Sequence, residues 1–218
     1  MSPQLVQKTA EYVKIKLAGE PTGHDWFHVE RVWKMAKRLQ IEVGGDLEII
    51  ELAALLHDLG DYGNPDEFDE GKGSLMLNGM MDILEIEEVM KKKIIQIINE
   101  SQFKGSDTKP ASTVEGRVIQ DAAWLDAIGA VGIARVFATG GFIKRTLHDP
   151  HKRIRRKLTK EIYKSHKNDG TSFNSFFEKI LKLPKLMNTE TGRRIAERRA
   201  DFLQHFIDEF LQEWEGEK

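Results

Sequence analysis

Apolar residues recur along this chain at the three- and four-residue intervals of a helix, and no alternating run long enough for a β-strand interrupts them. That pattern confines the chain to an all-α architecture, in which each helix buries its stripe against another. The periodicity predicts a helix over 5–17, closed by Gly19 and Pro21, and a second from near Trp26 with Val29, Val32, Trp33, Met35, Ala36 and Leu39 on its buried side. A third follows Gly44 and Gly45, with Asp46 as its N-cap. It is apolar almost all round through Ile49, Ile50, Leu52, Ala53, Leu55 and Leu56, as suits the centre of a bundle. A loop is expected over 61–73, where Gly, Pro and acidic residues gather, then helices over 75–84 and 87–100. The run 114–137, studded with Ala and Gly, reads as one core helix ended by Thr139, Gly140 and Gly141. A basic helix over 153–167, a shorter one over 172–183 and a long amphipathic one over 189–214 complete the pattern. With no internal repeat and no Pro- or Ser-rich linker, the expectation is one domain over 1–218, with a motif-bearing core at 20–137 and a C-terminal helical part at 151–214.

Composition narrows the chemistry. There is no cysteine, which excludes a disulfide scaffold, a thiolate zinc site and a cysteine nucleophile. Lys and Arg number 33 against 35 Asp and Glu, a net charge of -2 that argues against a dedicated nucleic-acid binder. No stretch approaches the length of an apolar membrane span, and the first twenty residues carry spread charges and no apolar signal core, so a cytoplasmic protein is expected. Neither a GxSxG elbow nor a GxxxxGKS loop appears, which excludes serine-hydrolase and P-loop readings.

The histidines carry the remaining signal. His24 and His28 are four apart and face one way on a helix, with Arg31 three residues further. His57 and Asp58 are adjacent at the end of the most apolar helix, where a carboxylate without a partner is costly. Downstream, Asp121 and Asp126 lie among small residues. Two histidines and carboxylates form a mixed N/O ligand set suited to manganese, iron, zinc or magnesium. Such a set supports metal-assisted hydrolysis of a phosphate ester or anhydride.

The HxxR at His28–Arg31, the pair His57-Asp58 and a later helical Asp resemble the HD-domain phosphohydrolase superfamily. The blocks HDWFHVERVWKMAKRL, IIELAALLHDLGDY, SQFKG, IQDAAWLDAIGAVGIARVFATGG and MNTETGRRIAERR, in that order, are similar to a bacterial subgroup of small HD proteins. Its members split nucleoside triphosphates into monophosphate and pyrophosphate with manganese, and the likeness runs from residue 20 to residue 214. The resemblance implies an all-α HD-domain helical bundle with His28, His57 and Asp58 as metal ligands. It implies a divalent metal, manganese foremost, with Mg, Fe, Zn, Co and Ni as alternatives. The partner it implies is a nucleotide or other phosphate-containing small molecule, with no nucleic-acid duplex and no membrane, in a monomer or homodimer.

The fourth ligand has two readings. The subgroup's pattern is Asp-Ala-Asp-Arg-Leu-Asp-Ala, where this chain reads Asp121-Ala122-Ala123-Trp124-Leu125-Asp126-Ala127. In one register the ligand position is Ala123 and a carboxylate is missing; in the other, Asp121 is the ligand. Phe142, Ser175 and Phe177 are also less polar than the subgroup implies. The expected substrate contacts are His24, Arg31 and Lys104, although Arg31 could instead pair with a carboxylate. Asp61 is expected to help a water attack, with Glu70 in the same acidic loop as a further candidate or a solvated residue. The basic run over 151–160 could steer polyphosphate or be a solvated face, and His148 with His151 reads as a surface loop. The function expected is metal-dependent hydrolysis of a nucleotide phosphoanhydride. The alternatives are a degenerate HD protein that binds without turnover, and a phosphomonoesterase or phosphodiesterase.

Overall fold

The computed structural model describes residues 3–59, 70–157, 159 and 170–217. Nine α-helices and no strand occur among them: α1 (Pro3–Lys16), α2 (Trp26–Val43), α3 (Leu47–Leu56), α4 (Glu70–Ile83), α5 (Glu88–Ser101), α6 (Val114–Asp126), α7 (Ala130–Phe142), α8 (Asn174–Glu178) and α9 (Glu190–Trp214). Local chemistry sets the boundaries of those nearest the histidines. Asp25 caps α2 by accepting from the His28 backbone N–H at 2.9 Å. Gly44, at φ 77°, closes it with its N–H on the Gln40 carbonyl. Asp46 caps α3 as expected, accepting from the Glu48 and Ile49 backbone N–H groups.

The centre is α3, whose Ile50, Leu52, Leu55 and Leu56 are fully buried. α1, α2, α5 and α6 all pack on it, and α2 also lies along α6. Burying each of those leucines contributes about 2 kcal/mol, so α3 is fixed by its surroundings rather than by its ten-residue length. A second cluster fastens the C-terminal helix. Phe137 of α7, Phe173 and Phe176 of the α8 region and Phe206 and Phe210 of α9 meet with ring centroids 4.4–6.2 Å apart. His148 sits at its edge, 4.7 Å from Phe173 and 4.8 Å from Trp214.

Four expectations change. The apolar run is not one helix: α6 and α7 bend by 77° across Ala127–Gly129, where Gly129 adopts φ 85°. Helix α7 then continues through Thr139, Gly140 and Gly141 to Phe142. The basic stretch over 153–157 is not helical, and the rest of that expected helix lies almost wholly outside the described residues. The reason is local. The Arg155 backbone N–H and guanidinium bind the buried Glu178 carboxylate, and Lys152 and Arg156 carbonyls accept from Asn174 and Lys182, so groups a helix needs are bonded to the α8 region. The helix expected over 172–183 is α8 followed by a 3₁₀ segment, Ile180–Leu186, which contains Pro184. Residues 61–69 of the expected loop lie outside the described residues, and 70–73 already belong to α4.

Candidate metal centre

Two helix ends bring the histidines together. His28 stands in the first turn of α2, and His57 caps the C-terminus of α3, followed directly by Asp58. The His57 Nδ1–H donates to the Ala54 carbonyl at 2.8 Å, and the His28 Nδ1–H donates to Asp126 Oδ2 at 2.7 Å. Each ring therefore presents an unprotonated Nε2, and these two atoms face each other at 3.1 Å. Asp58 closes the group, with Oδ2 2.9 Å from His28 Nε2 and Oδ1 3.3 Å from His57 Nε2. Although that close, Asp58 Oδ2 is buried and takes part in no hydrogen bond of acceptable angle.

Three acceptors converging without a hydrogen between them repel one another unless a cation lies among them. The three atoms stand 2.9, 3.1 and 3.3 Å apart, close enough to bind one ion together. The three residues are also the set among the described residues whose donor atoms all fall within 4.8 Å of one another. Burial pushes the His57 pKa down, keeping its ring neutral as a ligand must be.

Behind His28 sits one of the two downstream carboxylates that the sequence groups with the histidines, in a supporting position rather than among the donors. Asp126, at the end of α6, accepts from His28, from Arg31 Nε at 2.7 Å and Nη2 at 3.0 Å, and from Arg135 Nη1 at 3.2 Å. Burial opposes its ionisation, but the His28 and Arg31 hydrogen bonds hold its pKa well below normal. Arg135 also donates to the Gly23 carbonyl at 2.7 Å, so it ties the turn before α2 to α6 and α7. A Cβ on Gly23 would fall 2.9 Å from Arg135 Cγ, which is why that turn carries glycine, at φ 84°. The sequence held one signal for Arg135: it is the sole charge in α7, among Ala, Gly and apolar residues, and a charge so placed requires a buried partner.

The other expected residues distribute as follows. Asp121 is not brought to the group. It is fully buried and accepts five hydrogen bonds, from the Asn188 and Thr189 backbone and side chains, at the N-terminus of α9. Gly192 allows that approach, since a Cβ there would lie 2.6 Å from Asp121 Oδ2. Asp121 therefore anchors a helix, and it lies two positions before Ala123, about 200° round α6. No second carboxylate among the described residues joins the three donors as a fourth ligand. Arg31 takes its alternative role, paired with Asp126. His24 lies beside His28, ring centroids 5.7 Å apart, and burial pulls its pKa down to about 3. Its Nδ1–H donates to Thr22 Oγ1, whose own hydroxyl donates to Glu20, leaving Nε2 as an acceptor. Lys104 is half-buried in the turn after α5, its backbone N–H on Thr108 Oγ1, and is not in contact with the group. Asp61 and the Glu70 side chain lie outside what is described. Lys179, missed from sequence, stands over the Phe103 ring at 5.3 Å and is among the charges that act on His24.

The chain is similar to several known proteins. The family model described as HD domain matches residues 26–128. The uncharacterized protein YpgQ of Bacillus subtilis is 34% identical over 210 residues, covering 94% of this chain and 91% of its own. The crystal structure of YpgQ in complex with ADP superposes with a TM-score of 0.67 at 30% identity, over 95% of this chain and 96% of that one. A Lactobacillus plantarum protein matches over 99% of both chains with a TM-score of 0.88 and 33% identity. An HD-superfamily hydrolase of Bacillus thuringiensis matches over 97% of both, with a TM-score of 0.68 and 36% identity.

Proposed function

The chain belongs to the HD-domain family, and on that premise we propose that it is a metal-dependent phosphohydrolase acting on nucleotides, releasing monophosphate and pyrophosphate from nucleoside triphosphates. The observation that carries this reading is the facing pair of unprotonated Nε2 atoms beside the Asp58 carboxylate. His28, His57 and Asp58 would hold the divalent cation, manganese foremost. When bound, such a cation lowers the pKa of water towards about 7 and offsets charge on phosphoryl oxygens. The ADP complex of the Bacillus subtilis relative supports a nucleotide as the substrate.

The chain's own groups divide the remaining work. Asp126 keeps the His28 tautomer that exposes Nε2, and Arg31 and Arg135 keep Asp126 ionised. His24 is held neutral and offers Nε2 as an acceptor to a water or substrate hydroxyl. Lys104 keeps the phosphate-binding role that the family pattern gives it, and Asp61 the water-activating one.

A second reading has its own support. With Ala123 at the family's ligand position, and Asp121 and Asp126 bonded elsewhere, the protein would bind nucleotide without turning it over. One experiment separates the two: manganese-dependent pyrophosphate release from a panel of nucleoside triphosphates, by the unaltered chain and by Ala123→Asp. Turnover in the unaltered chain, abolished by EDTA and reduced more than about 100-fold in His57→Ala, supports the hydrolase. Turnover gained only with Ala123→Asp establishes a site that has lost its fourth ligand. Release of inorganic phosphate alone would reassign the activity to a phosphomonoesterase, and full activity in His57→Ala would end the metal reading.

A further inference from the structure

A cleft opens on the other side of α6. It encloses about 410 Å³ between α6, the segment before it and the turn that leads into α9. Its lining includes Lys109, Arg117 and Lys185, with Trp124, Leu186 and Met187 as the apolar walls, and no carboxylate. Arg117 and Trp124 are seven residues apart on α6 and so share a face, whereas Asp126 is two residues beyond Trp124, about 200° round the helix. The cleft therefore faces away from His28 and His57.

Three cations around one opening, in a chain whose net charge is -2, call for an explanation. None of the three forms an ion pair among the described residues, although Lys8, Lys34, Lys37, Lys91 and Arg155 each find a carboxylate. Arg117 is also oriented, its Nε donating to the Ala111 carbonyl at 3.0 Å. Three cations lining one opening attract an anion seated among them. Trp124, 5% exposed, adds an aromatic wall, and the volume lies within the range of small-ligand sites.

We propose that this cleft is a second ligand site, independent of the metal centre, that takes a phosphate-bearing ring compound of nucleoside-monophosphate size. The phosphate sits among Lys109, Arg117 and Lys185, and the ring lies against Trp124. The site stands whether or not the chain hydrolyses nucleotides.

The test is calorimetric titration of the full chain in EDTA with AMP, inorganic phosphate and adenosine, repeated on His57→Ala and on Arg117→Glu/Lys185→Glu. Both reversed positions are exposed, and circular dichroism verifies the fold of the double variant. The expected result is saturable AMP binding, equal in the unaltered chain and in His57→Ala, and weakened at least about tenfold by the double reversal. If the double variant does not fold, Lys185→Gln alone is read instead, with a loss of about threefold expected. Binding lost in His57→Ala and unchanged by the reversal places the nucleotide at the metal centre and overturns the proposal. So does the absence of saturation at millimolar AMP. Inorganic phosphate binding as tightly as AMP overturns the role of the ring.

Discussion

Asp126 settles which nitrogen of His28 is free. Its carboxylate takes the Nδ1 proton and is itself held by Arg31 and Arg135, so one residue orients the ligand and neutralises two cations. Replacing it by Asn should lower manganese affinity about 10- to 100-fold, measured by calorimetry. It should also destabilise the fold by about 3 kcal/mol in urea, because Arg135 would remain buried without its counter-charge. The acid behaviour follows from the same pairing. A carboxyl with a folded pKa below its unfolded value contributes stability that is complete above the unfolded value, near 3.8, and is lost as pH falls towards the folded one. Stability of the unaltered chain should therefore fall below about pH 4, and Asp126→Asn should flatten that slope in urea titrations between pH 5 and 2. At this scale the sequence was readable where partners are near in the chain: His57 and Asp58 are neighbours, and His28 announces itself with Arg31. The Asp126–His28 contact spans 98 residues, and no local pattern encodes it.

The corner between α6 and α7 shows why elements were read less well than residues. A run of Ala, Gly and branched residues has helical periodicity on both sides of Gly129 and no proline or polar break between them. What bends it is tertiary: Gly129 takes φ 85° and ψ -161°, a region closed to side chains, and its Cα faces Arg199 so closely that a Cβ would lie 3.1 Å from that residue's own Cβ. Gly129→Ala should cost about 1–3 kcal/mol and lower the melting temperature by about 5 °C in a thermal scan. Manganese affinity should fall with it, since Asp126 ends the helix that the bend positions. Asp121 illustrates the converse error. An acidic residue next to a ligand motif looked chemical, but its neighbours in space are the Asn188 and Thr189 N–H groups at the start of α9. The helix starts that sequence placed well at Asp46 and Thr189 carry a capping side chain, whereas that of α5, placed equally well, does not.

For the molecule as a whole, the all-α class was legible because every long segment repeats at the helical interval, while the arrangement of those helices was not. Two packed regions carry the assembly: the α3 core, and the phenylalanine cluster that joins α7 and α9. Phe210 stacks on Phe173 and Trp214, so Phe210→Ala should lower stability by about 3 kcal/mol in urea unfolding. The bend described above has a further consequence, for chain length rather than for stability. Asp126 and Arg135 meet across it, and the nine residues from one to the other are counted out by the end of one helix, the turn and the start of the next. Deleting one residue there would rotate Arg135 by about 100° around α7, away from both Asp126 and Gly23. Substitutions can accumulate in this stretch, but its length cannot drift. Descendants of this sequence that keep the carboxylate–guanidinium pair should show no insertion or deletion between those two positions.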